Sequence, residues 1–223
     1  MSRRVSRIRG TTLTDINPYL DFFGSSVDVS MRVDDLRAYL SSVEDFLRES
    51  SARWMGERST HGIDEAYVYE ESFPSILYST VIAAAVGLLE RDLRRFAERV
   101  RQAEGLSLSL RELSGSWLDR FLIYTDKVAR IDVALSPQLV EDTRAVVEVR
   151  NCLVHCGGEL AECQGRRVIE AFVGRKGLGL IASDVLRADR QLADAAINIV
   201  STFIDTCYDS ALRAYPDLGP VTG

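Results

Sequence analysis

The sequence predicts an all-α protein, on three observations. Apolar residues recur at spacings of three, four and seven along several long segments, the repeat of a helix that buries one face. Capping residues punctuate those segments: Ser136-Pro137 opens one, and Gly105 and Gly157-Gly158 each close one. Strand-like patterning is confined to residues 168–182.

In chain order, residues 1–27 are polar and turn-rich, with Asn17-Pro18 and Gly24-Ser25-Ser26, and read as a loosely attached arm. Its basic start (Arg3, Arg4, Arg7, Arg9) has no apolar stretch behind it, which argues against a signal peptide and for a solvated tail. Residues 31–58 read as a helix on Leu36, Leu40, Val43 and Leu47, stopped by His61-Gly62, where His61 has no chemical duty. A second helix spans 64–104, bent at Pro74, with Leu77, Val81, Ala85, Leu89, Leu93, Phe96 and Val100 among its apolar positions. Residues 105–115 form a loop rich in Leu and Ser. A third helix, 116–131, carries Trp117, Phe121, Tyr124 and Val128 on one stripe. The fourth starts at Ser136-Pro137, turns Leu139, Val146, Val149 and Leu153 inward, and stops at Gly157-Gly158. Residues 168–173 and 178–182 flank Gly174-Arg175-Lys176-Gly177 and predict a small β-hairpin. The last helix, 189–215, presents Leu192, Ala196, Ile199, Phe203 and Cys207 to the core. The expected division is an arm and helix over 1–60, a helical domain over 61–215, and a disordered tail over 216–223.

At 223 residues and 46% hydrophobic the chain can bury a core of its own. A net charge of −6 and a pI near 5.1 argue against a general nucleic-acid binder, though not against a local cationic site. The longest apolar run, 81–89, falls short of the roughly 20 residues that span a bilayer. The expectation is a cytoplasmic protein with no membrane partner, whose four cysteines need not pair.

One motif carries chemistry: Arg150-Asn151-Cys152-Leu153-Val154-His155, then Cys156-Gly157-Gly158. Histidine moves protons near neutral pH. Arginine holds a phosphate and its developing charge. With 25 Arg and two His, an Arg five residues before a His is about a one-in-five accident, but an Asn directly after that Arg lowers the odds to about 0.3%. Asn151 and His155 share a helix face, whereas Arg150 lies about 140° from His155 around the axis. A single helix does not aim both at one spot, and a second copy across a two-fold axis would complete the site. The helix C-terminus favours a protonated His155, and Arg150 opposes it.

Arg-Asn-x-x-x-His at the end of a long helix resembles the HEPN superfamily of small all-α ribonucleases. Residues 72–102, with Leu88-Leu89-Glu90, look like the first core helix of that family, and 117–131 like its second. The motif helix and 189–215 look like its third and fourth, so the likeness covers about residues 64–215. The Gly-Gly after the motif is similar to the RiboL-PSP subgroup. The resemblance implies an up-down four-helix bundle with an N-terminal helical extension and a hairpin between the last two core helices. It implies a homodimer with two facing motifs, and metal-independent RNA cleavage without a cofactor. In that reaction the ribose 2′-hydroxyl attacks the adjacent phosphate, leaving a cyclic phosphate and a 5′-hydroxyl. It also implies a toxin or phage-defence role, with an antitoxin or defence-complex protein as partner, and no DNA substrate. Arg150 and His155 match the two catalytic positions, Asn151 the polar position after the Arg, and Glu90 an acidic position in the first core helix. One departure is Gly157, where toxins silenced by nucleotidyltransferase antitoxins often carry Tyr; silencing by modification there is not expected. The alternative is a non-catalytic HEPN dimer that binds a nucleotide, RNA or protein partner.

Two other clusters have plainer readings. Cys152, His155, Cys156 and Cys163 lack structural-zinc spacing and read as core-packing thiols, with no metal expected. Arg91, Arg94, Arg95, Arg99 and Arg101, interleaved with Glu90, Asp92 and Glu98, read either as a solvated face with internal ion pairs or as a phosphate-binding wall beside the motif, with Arg91, Arg94 and Arg95 the candidate RNA contacts. Glu90 itself is either the partner of Arg94 or a group that orients Arg150 or His155, and Arg150 has a plainer reading as one half of a buried ion pair with Glu148 or Glu90.

Overall fold

The computed structural model describes residues 17–56 and 65–216. The first helix, α1 (Pro18–Met55), starts at Asn17, whose side chain accepts a hydrogen bond from the Tyr19 N–H at 3.0 Å, with Pro18 in the first turn. Residues 18–27 are therefore helical, not the loose arm the turn-like Gly24-Ser25-Ser26 suggested. Tertiary burial overrides local preference here: Phe22, Ser25 and Val29 are buried, and the Ser25 hydroxyl is satisfied by the Asp21 carbonyl at 2.7 Å. Residues 1–16 and the expected stop at His61-Gly62 lie outside the described residues, as does most of the 216–223 tail.

Residues 65–67 are helical and lead through a wide π-helical turn, Val68–Ser72, into α2 (Phe73–Glu104). The turn answers Pro74, which has no N–H and crowds the carbonyl four residues back; a widened turn absorbs both. Gly105, at φ +62°, ends α2 in the left-handed conformation. A capping box between Ser109 and Glu112 closes the short 3₁₀ turn Leu110–Glu112. The helix expected over 116–131 is α3 (Trp117–Ile123), capped by Ser116, followed by a π-helical turn, Tyr124–Ala129. The motif helix α4 (Pro137–His155) begins where its caps placed it, with Ser136 accepting from the Leu139 N–H at 3.1 Å.

The expected hairpin exists but is displaced. Residues 168–173 belong to α5 (Arg166–Lys176), where Ile169, Phe172 and Val173 form one buried face, Arg166 pairs with Glu170 one turn on, and Gly177 at φ +64° ends the helix. The hairpin joins β1 (Leu180–Ala182) to β2 (Val185–Arg187) antiparallel, with Leu180 opposite Arg187. Its two-residue turn puts Ser183 and Asp184 at positive φ. Asp189 caps α6 (Arg190–Ala214).

The protein is thus all-α with one small hairpin. Helices α1, α2 and α6 pack on one another, and α4 packs on α2 and α6. One core runs through them. Phe96 of α2 stands 5.4 Å from Phe22, 5.5 Å from Tyr208 and 5.8 Å from Phe121, ring centre to ring centre. An 18-residue window within 65–104 reaches a mean hydropathy of 1.7, apolar and long enough by composition to cross a membrane. A third of that window is buried, and Val81, Ile82, Ala85, Val86 and Leu89 of this helix lie in the shared core. Asp142 ties α4 to α5. Buried at 4% exposure, it accepts from Arg175 at 2.5 Å, Gln138 at 2.8 Å and Lys176 at 2.9 Å. Burial alone would raise its pKa, but these partners outweigh burial and hold it below the usual value.

Two predictions follow from this architecture. Phe22→Ala should cost about 3–5 kcal/mol in urea unfolding, the cost of emptying a core aromatic site; a change under 1 kcal/mol would make α1 an appendage. Asp142→Asn should cost roughly 1–2 kcal/mol at pH 7, discounted because Arg175 and Lys176 are 42% and 39% exposed. A depressed carboxylate pKa stabilises above the unfolded value and is lost on acidification, so the gap between wild type and variant should close as pH falls below 3.8.

Candidate functional site

Helix α4 presents the motif at its C-terminal end. Arg150 is held against α2: its Nη2 lies 4.0 Å from Glu90 Oε2, with the two side chains 22% and 23% exposed. Glu90 also accepts a hydrogen bond from Arg94 one turn along α2. One carboxylate thus contacts two guanidinium groups, Arg94 and Arg150, and no Glu90–His155 contact is present among the described residues. Glu148, the other possible partner of Arg150, packs instead over Gly165, where any Cβ would collide with it.

His155 is the last residue of α4 and is exposed beside Val154, itself 51% exposed. Asn151 is half-buried. Among the described residues neither His155 nor Asn151 has a side-chain hydrogen bond or ion pair, so the imidazole is free to act on a ligand. The structure brings Arg150, Glu90 and Arg94 together and leaves Asn151 and His155 on the adjacent exposed faces of α4. Arg91 and Arg95 are directed to buried Asp92, at 3.3 Å and 3.9 Å. Arg99 reaches across to Asp21 of α1, and Arg101 pairs with Glu98.

The two glycines after the motif have different duties. Gly157 adopts φ +57° with open space around it. Gly158, at φ +91°, donates its N–H to the Cys152 carbonyl at 3.1 Å and accepts from the Leu186 N–H at 2.9 Å. A Cβ there would run into the Leu186 carbonyl oxygen. The end of the motif helix is therefore clamped to β2 through backbone that only glycine permits.

Cys152 and Cys207 are core thiols, as read from the sequence, whereas Cys156 and Cys163 are half-buried. The Cys163 thiol donates to the Glu159 carbonyl at 3.2 Å, and burial and the neighbouring Cys152 push it up to about 11. All are free thiols, and among the described residues no group of three or more His, Cys, Asp or Glu is placed to hold a metal ion. The sequence reading missed Arg111 and Arg120. Neither has an acidic residue three or four positions away, the one faint signal that they lack a local ion-pair partner.

No family model matches the chain, and neither curated proteins nor solved structures give a match.

The backbone clamp at Gly158 yields a paired test. Gly158→Ala should lower stability by about 2 kcal/mol or more, combining positive-φ strain with displacement of β2, and Gly157→Ala by about 1 kcal/mol from φ strain alone. Thermal melting of the two variants checks this; equal losses would show that contact with β2 is not what demands glycine at 158.

Proposed function

We propose that the protein is a metal-independent endoribonuclease of the HEPN type. In this reading it is a cytoplasmic homodimer acting as a toxin or phage-defence effector, with an antitoxin or defence-complex protein as its regulator. The observation that carries the reading is the state of the two motif groups. Arg150 is braced by Glu90 near the surface, and His155 stands exposed with no protein partner among the described residues.

The chemistry is phosphodiester transesterification. The ribose 2′-oxygen loses its proton to one imidazole and attacks the adjacent phosphorus. The bond from phosphorus to the 5′-oxygen breaks, and that oxygen takes a proton from a second imidazole. The products are a 2′,3′-cyclic phosphate and a 5′-hydroxyl. His155 of one copy serves as base and His155 of the second copy as acid, a contribution of about 10²–10⁴-fold for general acid–base catalysis. Arg150 meets the charge that builds on the phosphate in the transition state. Asn151 hydrogen-bonds the imidazole or a phosphate oxygen. The 140° helical phase between Arg150 and His155 is why two copies are needed: the Arg of one α4 and the His of the other converge across the two-fold axis.

The test is cleavage of a labelled mixed-sequence RNA in EDTA with end-group analysis. Wild type should leave cyclic phosphate ends. His155→Ala and Arg150→Ala should each lose at least about 10²-fold in rate while remaining folded dimers. Normal cutting by either variant would remove that residue from catalysis. No cutting by a dimeric wild type would favour the non-catalytic binding dimer.

A further inference from the structure

The chain is acidic overall, yet one cleft in it is cationic. It lies between the C-terminal half of α2 and the segment that carries the 3₁₀ turn and α3. It has two adjoining lobes of about 340 and 360 Å³ that share Arg94, Leu110 and Arg111. Trp117 and Arg120 complete the first lobe; Glu98 and Arg101 complete the second. Three nearby carboxylates are already engaged: Glu98 by Arg101, Glu90 by Arg94 and Arg150, and Glu112 by the Ser109 backbone N–H. Among the described residues Arg111 and Arg120 form no ion pair. The Nε–H of Arg120 is buried and has no acceptor. A buried guanidinium donor without an acceptor is costly, and costlier still beside two other cations. An anion in the cleft would offset the charge of the cluster.

The wall of the first lobe adds a second requirement. Trp117 is half-buried and packed on the core, which fixes the indole in place. A rigid indole beside guanidinium groups suits a ligand that carries a phosphate next to a flat ring, the combination that single-stranded nucleic acid presents at every residue. The cleft also adjoins the motif. Glu90 is hydrogen-bonded to Arg94 of the cleft and lies 4.0 Å from Arg150, so one carboxylate side chain separates the two.

We propose that this cleft binds a phosphate and the neighbouring base of single-stranded RNA, with Arg111 and Arg120 on the phosphate and Trp117 against the base. The choice of RNA rests on the reading of Arg150 and His155 as an RNA-cleaving pair. The cleft then holds the strand to one side of the scissile bond. Of the arginines singled out on α2 by sequence, Arg94 belongs to this surface, whereas Arg91 and Arg95 are directed to Asp92.

The test measures binding apart from cutting. His155→Ala protein is titrated into a short 5′-labelled single-stranded RNA at several salt concentrations, alone and combined with Arg111→Gln, Arg120→Gln or Trp117→Leu. Each arginine change should weaken binding about tenfold and flatten the salt dependence by about 0.7 in log–log slope. Trp117→Leu should weaken binding about tenfold with the slope unchanged. Arg111 is exposed, so its variant keeps the test decisive if Arg120→Gln or Trp117→Leu fails to fold. Affinity and slope unaltered by Arg111→Gln overturn the cleft while leaving the cleavage reading intact, since that stands on wild-type products. The absence of any RNA binding by His155→Ala overturns it as well. Competition by AMP as effective as by the RNA itself would make the cleft a mononucleotide pocket and overturn the RNA assignment. Arginine-dependent RNA binding in a protein whose wild type cuts nothing keeps the cleft and removes the nuclease.

Discussion

The arrangement of this protein depends on how much of α2 must be buried. Val81, Ile82, Ala85, Val86, Leu89, Leu93, Phe96, Ala97 and Val100 are each at most 2% exposed, more of the helix circumference than one neighbour can cover. Three long helices, α1, α4 and α6, are needed to close over it, and Phe96 touches aromatic rings from α1, α3 and α6 at once. What remains to water on the second half of α2 is a narrow polar strip holding Glu90, Arg91, Arg94 and Arg95. The half-buried edge of that strip meets α4. Glu90 reaches Arg150 because core burial leaves it no other place, and the bracing of the motif arginine is a by-product of how the bundle closes.

Where the sequence was legible, the determining interactions were local. The start of α4 is written in Ser136 and Pro137, and its end in the glycines after His155, all within a turn of the residues they cap. The spacing of Arg150 and His155 is likewise a property of one helix. Long-range contacts decided the rest. Gly24-Ser25-Ser26 reads as a turn until Phe22 is seen against Phe96 and stacked on Tyr215 at 5.3 Å. Residues 168–173 are rich in β-branched and aromatic types, yet Ile169, Phe172 and Val173 fall on one helical face and Arg175 and Lys176 anchor to Asp142. Glu90 was reachable only through family resemblance, because nothing between residues 90 and 150 in the sequence signals their contact. Only the α2 side of the cationic cleft was legible, as a wall of arginines that includes Arg94; Arg120 of α3 and Arg111 of the 3₁₀ turn join it through long-range packing.

Charge pairing explains why so few arginines matter. Most of those described are spent on carboxylates: Arg144 on Asp119, Arg166 on Glu170 and Asp184, Arg175 on Asp142, Arg190 on Glu44 and Asp194. Arg111 and Arg120 form no ion pair among the described residues, and neither do Arg130, Arg167 and Arg187, in a chain with 33 acidic residues. The same acidity shapes how a polyanion would approach. A net charge of −6 repels a polyanion only within the Debye length of about 10 Å at 0.1 M salt, beyond which it is screened, so under the proposed reading attraction would come from short-range contacts in the cleft and at Arg150.

The helix phase of the motif bears on assembly. Arg150 and His155 sit about 140° apart around α4. Under the proposed reading a single chain would not bring both groups to one phosphodiester, whereas a second α4 laid alongside would, which ties the proposed activity to dimer formation.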